Sequence, residues 1–180
     1  MDGTALRAMQ APLKDRYRAE PGAALVTLRA EGELADGVAC KVETGRALAV
    51  AGLHPATGGS GAELCSGDML LEALVACAGV TLKAVATALG IVVRAGRVRA
   101  EGDLDFRGTL GVDKAAPVGF RAIRLAFELE TDAEPEQLGQ LLKLTERYCV
   151  VFQSLRAPPE LSVALRPAGA GLQSAAMAGS

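Results

Sequence analysis

The stretch that decides the fold spans residues 66–89 and reads SGDMLLEALVACAGVTLKAVATAL. Ser66 is a favoured N-cap residue, Asp68 lies in the first turn where the helix dipole favours an anion, and Gly90 follows as a stop signal. The sequence therefore predicts one helix of about 24 residues, roughly 36 Å long at about 1.5 Å per residue. Because its apolar residues surround the whole axis, this helix should form the centre of the fold.

The same stretch is long enough to be considered as a membrane span, but its composition disfavours insertion. Lys83 lies at the midpoint of the apolar run 73–93, where a bilayer disfavours a cation by ~2.5–3.5 kcal/mol. The first residues, Met1-Asp2-Gly3-Thr4, show neither the basic nor the apolar segment of a secretory signal. We therefore expect a cytoplasmic protein without a membrane partner, whose cysteines are reduced thiols.

Composition narrows the class of protein further. The 180 residues are 50% hydrophobic and 22% charged, which is typical of one folded domain. A net charge of −2 and an aromatic content of 3% argue against a nucleic-acid partner. One His and four Cys without C-x-x-C spacing exclude most zinc sites.

Helix and strand patterns surround the central helix on both sides. The short connections between the strand-like runs indicate antiparallel pairing, and Gly102 is a candidate for a bulge. The order of elements is typical of the α+β class, with a long buried helix packed on antiparallel sheets. We predict helices over residues 4–19, 135–142 and 145–155, and strands over residues 24–29, 38–44, 46–51, 91–106, 120–130 and 161–165.

Three segments follow from this pattern. Residues 1–22 form an N-terminal helical extension that ends at Pro21-Gly22, and residues 23–166 form the main domain. Residues 167–180 are rich in Gly, Ala and Ser and have nothing to pack, so we expect a disordered tail.

The four cysteines, taken one at a time, are most simply packed residues, because free Cys is among the most buried residue types. Cys40 falls on the inward face of a strand, and Cys77 lies in the middle of the central helix. Cys65, in the glycine-rich loop before that helix, is either a packed residue or a redox accessory or metal ligand. Cys149 follows Arg147, a cation that could lower the pKa of its thiol. Residue type and spacing leave open whether any two of them react together.

Two stretches around the later cysteines are more informative when they are considered together. Residues 66–77, followed by Thr81-Leu82, resemble the central helix of the OsmC/Ohr family, the osmotically inducible and organic hydroperoxide resistance proteins. That helix typically carries a carboxylate, a turn or two rich in Leu and Ala, and then Ala-Cys. Residues 147–150, Arg-Tyr-Cys-Val, are similar to the family's second cysteine site, which usually reads Cys-Pro-Val. The resemblance covers residues 24–166, so the main domain is expected to be OsmC-like.

The resemblance implies an intertwined homodimer with two active sites at the subunit interface, acting as a thiol-dependent peroxidase. Cys77 matches the peroxidatic cysteine, whose thiolate would attack a hydroperoxide and become a sulfenic acid. Cys149 matches the resolving cysteine, which would form a disulfide that an external dithiol reduces. No metal, haem or flavin cofactor is needed in this family. A largely apolar wall of Leu and Val suits an organic hydroperoxide substrate, so the implied role is antioxidant stress defence.

A thiolate inside a helix needs a nearby cation, because burial alone raises the pKa of a thiol. In the hydroperoxide resistance branch this cation is an Arg, held by a carboxylate at the start of the central helix. Asp68 matches that carboxylate, although it lies about 180° around an ideal helix from Cys77. It would act through an irregular helix start, act in the partner subunit's site, or only stabilise the helix dipole. Further candidates by residue type are Glu72 as the acid and Arg29, Arg46 or Arg147 as the cation, and Val150 stands in place of the family's Pro.

Two alternatives to a peroxidase are left open by the sequence. The first is a non-enzymatic OsmC-fold protein that binds a small molecule or senses oxidants through a single thiol. The second is a structural interaction module with inert cysteines. Other motifs are weaker: His54 is most simply a surface loop residue, and the loop Gly58-Gly59-Ser60-Gly61 lacks the Gly-Lys-Ser/Thr of a phosphate loop. The sequence specifies neither the physiological peroxide nor the reductant.

Overall fold

A computed structural model describes residues 3–35, 39–42 and 51–165 of the chain. The described residues form an α+β fold, as the sequence predicts, with short 3₁₀ turns at Pro21–Ala24 and Pro55–Thr57. The helices are α1 (Gly3–Ala19), α2 (Ser66–Leu89), α3 (Phe106–Thr109), α4 (Pro135–Tyr148) and α5 (Val150–Arg156). The strands are β1 (Leu25–Ala35), β2 (Ala39–Val42), β3 (Ala95–Asp105) and β4 (Ala122–Glu130).

The four strands form one antiparallel sheet in the order β2-β1-β3-β4. Gly102 of β3 pairs in regular register with Leu28 on one side and Ile123 on the other, so the predicted bulge is wrong. The missing side chain instead leaves room for the ring of Phe120, which a Cβ at Gly102 would overlap. This glycine therefore permits close packing against the sheet.

Helix α2 packs on the sheet and forms the centre of the core. It contacts β1, β3, α4 and α5. Among the described helices it is the one long and apolar enough to cross a membrane, but its contacts are those of a core helix. Its buried apolar side chains are Leu71, Leu74, Val75, Ala78, Leu82 and Ala86.

One stripe of α2 faces away from this core. Leu70, Ala73, Val80 and Ala84 are exposed, and Cys77 lies partly buried among them. Alternate spacings of three and four residues place all five on one side of the helix, as in a coiled-coil seam. This apolar stripe is the part of α2 that a single copy of the chain leaves uncovered.

The helix boundaries follow the predictions, with two differences. Gly90 ends α2 in the left-handed conformation that glycine adopts without strain (φ 69°), as expected, but the N-cap residue is Cys65 instead of Ser66. The last two helices are separated at Cys149, whose extended backbone ends α4 and begins α5. The predicted boundary near Thr145 lies about one turn too early. Thr145 is buried inside α4, where its hydroxyl donates a hydrogen bond to the backbone carbonyl of Leu141.

The predicted strand over residues 161–165 is not formed in a single copy of the chain. Leu161, Val163 and Leu165 are 82%, 98% and 95% exposed, and no described strand pairs with them. Alternating apolar residues make a stable strand only when a neighbouring strand pairs with their backbone. The predicted strand over 46–51, apart from Ala51, and the predicted tail 167–180 lie outside the described residues.

Asp105 is a fully buried carboxylate at the end of β3, only 1% exposed. It accepts hydrogen bonds from the backbone N–H, Nε and Nη2 of Arg107, the last at 2.6 Å. Arg107 also lies 3.4 Å from the carboxylate of Asp113. Asp105 is also the N-cap residue of α3, so its ion pair with Arg107 fixes the turn that follows β3.

Candidate active site

Helix α2 and the junction between α4 and α5 bring Cys77 and Cys149 together in one apolar cluster, although 72 residues separate them. Cys77 lies in the middle of α2. Cys149 is buried at the break between the last two helices, and α5 packs against α2. Both cysteines are free thiols in this structure. The two cysteines singled out by the sequence are therefore neighbours in the fold.

The surroundings of Cys77 favour its thiolate. Burial raises the pKa of this thiol, but donor groups close to the sulfur outweigh burial and leave the pKa below that of an ordinary cysteine. The donors are, in decreasing effect, the backbone N–H of Val151, the Cys149 thiol, the Thr81 hydroxyl and the backbone N–H of Val150. Each of them lowers the pKa because the anion is a stronger acceptor than the neutral thiol.

The surroundings of Cys149 favour the neutral thiol instead. Burial, together with hydrogen bonding and charge from the neighbouring Cys77, raises its pKa to about 11. The backbone N–H of Phe152 donates to Cys149 Sγ at 3.5 Å and offsets part of this effect. At neutral pH the pair therefore consists of an ionisable, partly exposed sulfur and a buried, protonated one.

The acidic candidates lie on another side of α2. Asp68 and Glu72 are one turn apart. Cys77 follows Glu72 by five residues, which places it about 140° around the helix from Glu72. Burial raises the pKa of both carboxyl groups; His54 partly offsets this for Asp68, whose charge raises the pKa of Glu72 further. Neither carboxylate is among the groups that shift the pKa of Cys77. A catalytic role for Asp68 therefore stays a prediction.

Only one of the three candidate Arg side chains is described. Arg147 places its guanidinium over the ring of Tyr148, 5.6 Å from the centroid, and is not among the groups that act on either thiol. Arg29 on β1 lies opposite Glu101 on β3 in the strand register, but the side chain of Arg29 is outside the described part. The whole of Arg46 is also outside it. The groups found to favour the Cys77 thiolate are uncharged donors.

The comparison with protein families decides the classification. A family model described as OsmC-like protein matches residues 59–164, more than half of the chain, and this range includes both Cys77 and Cys149. This chain belongs to the OsmC-like family. A search of curated proteins found no significant match to the sequence.

Two solved structures share the OsmC-like fold. An OsmC-like hydroperoxide resistance protein from Jannaschia sp. CCS1 is 16% identical with a TM-score of 0.58, and the match covers 81% of this chain and 96% of that protein. An OsmC-like protein from Mycoplasma pneumoniae is also 16% identical, with a TM-score of 0.51, and the match covers 74% of this chain and 86% of that one. At this identity the likeness establishes the fold alone.

The other sequence candidates lie apart from the thiol pair of this OsmC-like chain. Cys65 is a partly buried free thiol packed on the core, about 18 Å along the helix from Cys77. The side chain of Cys40, on β2, is outside the described part. His54 is not a plain surface residue: its ring stacks on Phe106 with 4.9 Å between centroids, and its Nδ1 accepts a hydrogen bond from the Ala56 N–H. Within the described ranges, no three His, Cys, Asp or Glu side chains are grouped to hold a metal ion.

Proposed function

We propose that this OsmC-like protein is a cytoplasmic, thiol-dependent peroxidase that reduces organic hydroperoxides to alcohols. The observation that carries the proposal is the unequal pair of thiols in one apolar cluster, with the pKa of Cys77 lowered and that of Cys149 raised. A two-cysteine peroxidase needs this division, because the thiolate is the nucleophile and a second thiol must attack the oxidised product. The fold shared with a hydroperoxide resistance protein supports the same activity.

The chemistry proceeds in three balanced steps. The Cys77 thiolate attacks the peroxide oxygen remote from the organic group; the O–O bond breaks, the sulfur becomes a sulfenic acid, and the alkoxide takes a proton to leave as alcohol. The Cys149 sulfur then attacks the sulfenic sulfur, and the displaced hydroxide leaves as water with the Cys149 proton. Finally an external dithiol reduces the Cys77–Cys149 disulfide by exchange and is itself oxidised to a disulfide.

Apolar side chains near Cys77 favour an organic hydroperoxide over hydrogen peroxide. Val150 is exposed and Val151 is partly buried at the start of α5, next to Cys77. An organic group that covers such surface gains about 25 cal/mol per Å² of apolar area, which hydrogen peroxide cannot gain. We expect the preference to appear as a lower KM for the organic substrate.

A stoichiometric reaction tests the proposed function. Reduced protein treated with one equivalent of cumene hydroperoxide and no added thiol should release one alcohol, lose two thiols and contain a Cys77–Cys149 disulfide on peptide mapping. The Cys149→Ser variant should stop at a sulfenic acid on Cys77 that dimedone labels. Persistence of the peroxide would instead favour a non-enzymatic OsmC-fold protein, and a disulfide through Cys65 would contradict the assigned pair.

A second copy of the chain completes the proposed enzyme. The apolar stripe of α2 carries Cys77 between exposed Val80 and Ala73, so a partner helix seated on it would shield the reactive sulfur from water. A two-fold dimer would provide this partner helix, because the stripe of each copy would pack against the stripe of the other. The exposed apolar segment 161–165 gives the chain a second uncovered surface for an intertwined contact.

Substitution of Val80 tests the dimer. Val80→Asp should convert the dimer to a monomer in sedimentation or light scattering, because two carboxylates would be buried in an apolar seam. Val92→Asp is the matched control, since Val92 is even more exposed but lies off the stripe, and its dimer should persist. A monomeric parent protein, or a Val80→Asp dimer of unchanged affinity, would contradict the stripe as the interface.

A further inference from the structure

The described sheet ends at β4, and the chain carries an exposed segment that is suited to extend it. β4 is the last strand in the sheet order, and β3 is its partner among the described strands. Leu161, Val163 and Leu165 alternate as in a strand but lie almost fully exposed. We propose that residues 161–165 of a second copy of the chain add to the free edge of β4 and fill the apolar groove beside it. This contact rests on the dimer of the proposed function and names a second site at which the two copies bind each other.

The apolar side chains of β4 are less buried than those of the neighbouring strand. Val98 and Ala100 of β3 are fully buried, whereas Phe127 and Leu125, which lie opposite them in the register, are only partly buried. Residues directly opposite each other in an antiparallel pair share one face of the sheet, and the inner row of β4 packs against α2 and α4. The layer beneath these helices therefore has room for one more strand beyond β4.

A groove of about 300 Å³ marks this room. Its described lining comes from β4, α2 and α4 and not from β3, so the groove opens on the outer side of β4. An extended peptide adds to such a surface, because its backbone bonds to the free strand edge while alternate side chains enter the groove. The lining side chains are all apolar: Leu82, Leu125, Phe127, Leu129, Leu138, Leu141 and Leu142.

Residues 161–165 match the groove in pattern and in length. Alternate side chains of a strand point to one face about 6.6 Å apart, so Leu161, Val163 and Leu165 repeat the spacing of the inner row of β4. The intervening residues, Ser162 and Ala164, are small and face the other way. The OsmC-like family model matches the chain as far as residue 164, so nearly the whole segment belongs to the domain and not to the tail.

Charge favours one direction for the added strand. A parallel alignment with Val163 beside Phe127 brings Glu160 beside Arg124, whose side chain is 48% exposed. An antiparallel alignment of the same apolar pair brings Glu160 beside Glu130 instead. Opposite charges on neighbouring strands stabilise their pairing, and like charges destabilise it. The parallel alignment is therefore the one that the charges of the two segments fit.

The segment comes from a second copy because its own copy holds it away from the sheet. Helix α5 ends at Arg156, and the link over residues 157–160 contains Pro158-Pro159. Proline fixes its own φ and favours extended backbone in the residue before it, so this link is stiff. In the single copy all five residues of the segment are exposed. A two-fold dimer would let each copy give its segment to the other.

The test measures hydrogen–deuterium exchange of the β4 backbone amides in the reduced full-length protein, at concentrations where sedimentation shows monomer and dimer. Exchange should slow by at least about tenfold in the dimer, because an added strand supplies acceptors to the outward N–H groups of β4. Val163→Asp should remove this slowing and weaken dimerisation by about tenfold or more, because its carboxylate would enter an apolar groove. Ser162→Asp is the matched control: it adds the same charge on the opposite face of the segment and should keep both properties. Ser162 and Val163 are exposed in the single copy, so neither change disturbs its fold.

Equal exchange and equal dimer affinity in Val163→Asp and Ser162→Asp would overturn the proposed contact. So would a slowing that is independent of concentration, which would place the segment on the edge of its own copy. A dimer whose β4 amides exchange freely would contradict this contact and leave the α2 stripe as the interface, whereas a monomeric parent would contradict both. Hydrogen exchange needs no peroxide, so its outcome is separate from that of the peroxidase assay.

Discussion

Replacing Cys77 with serine is expected to lower steady-state reduction of cumene hydroperoxide by at least about a thousandfold. A serine hydroxyl is not ionised near neutral pH, so the donors around position 77 would have no anion to stabilise. The oxygen also cannot pass through the sulfenic acid that the second thiol attacks. The measurement is the initial rate of peroxide loss with dithiothreitol in excess.

Cys65→Ser is the matched control, because it makes the same chemical change in another partly buried free thiol of α2's N-terminus. Its rate should equal that of the parent protein. Cys149→Ser should still consume the first equivalent of peroxide but lose turnover that depends on the Cys77–Cys149 disulfide. Parent-like turnover in Cys77→Ser, or an equal loss in Cys65→Ser, would show that the nucleophile lies elsewhere.

Replacing Asp105 with alanine is expected to lower the free energy of unfolding by about 3 kcal/mol. The change removes the carboxylate that accepts hydrogen bonds from three donor groups of Arg107, and among the described residues it leaves the mostly buried guanidinium with Asp113, at 3.4 Å. The α3 helix loses its N-cap side chain at the same time. Urea unfolding followed by circular dichroism measures the difference.

The exposed pair of Arg94 and Asp132 provides the control. It has a similar two-bond geometry, at 2.5 and 2.9 Å, but Asp132 is 86% exposed, so Asp132→Ala should destabilise the fold far less than Asp105→Ala. Equal costs for Asp132→Ala and Asp105→Ala would contradict the argument from burial.

The same pair predicts the pH dependence of stability. Hydrogen bonds from Arg107 hold the pKa of Asp105 below its usual value, although burial opposes them. A carboxyl group with a lower pKa in the folded state stabilises the fold fully above its unfolded pKa, about 4, and loses this contribution as the pH falls through the folded pKa. The stability gap between the parent and Asp105→Ala should therefore narrow below pH 4.

Patterns with a strong period were predicted well from the sequence. The alternation of residues 120–130 gave β4, which forms as Ala122–Glu130. The strand begins two residues late because Phe120 turns to fill the space beside Gly102. The apolar run before Gly90 likewise gave α2 with its correct end. In contrast, residues 161–165 alternate just as clearly, but in a single copy no described strand lies beside them. The sequence of one segment does not show which strand, if any, will pair with it.

The candidate site was less accessible to sequence reasoning. A separation of 72 residues leaves no local signal that Cys77 and Cys149 meet, so only the family resemblance predicted their pairing. The donors at Val150 and Val151 could not be predicted, since every residue except proline carries an N–H and only the fold decides where it points. The limits of the N-terminal extension and of the tail stay predictions.

Cys149 is shared by two helices, as the C-cap of α4 and the N-cap of α5. Its backbone N–H donates to Thr145 at the end of α4, whereas its sulfur accepts the Phe152 N–H of α5. If Cys149 bonds to Cys77 as proposed, its sulfur alone is engaged, so we expect oxidation to weaken the start of the final helix and to leave the longer one unchanged. The reduced and oxidised proteins would then differ in how tightly this last helix is ordered.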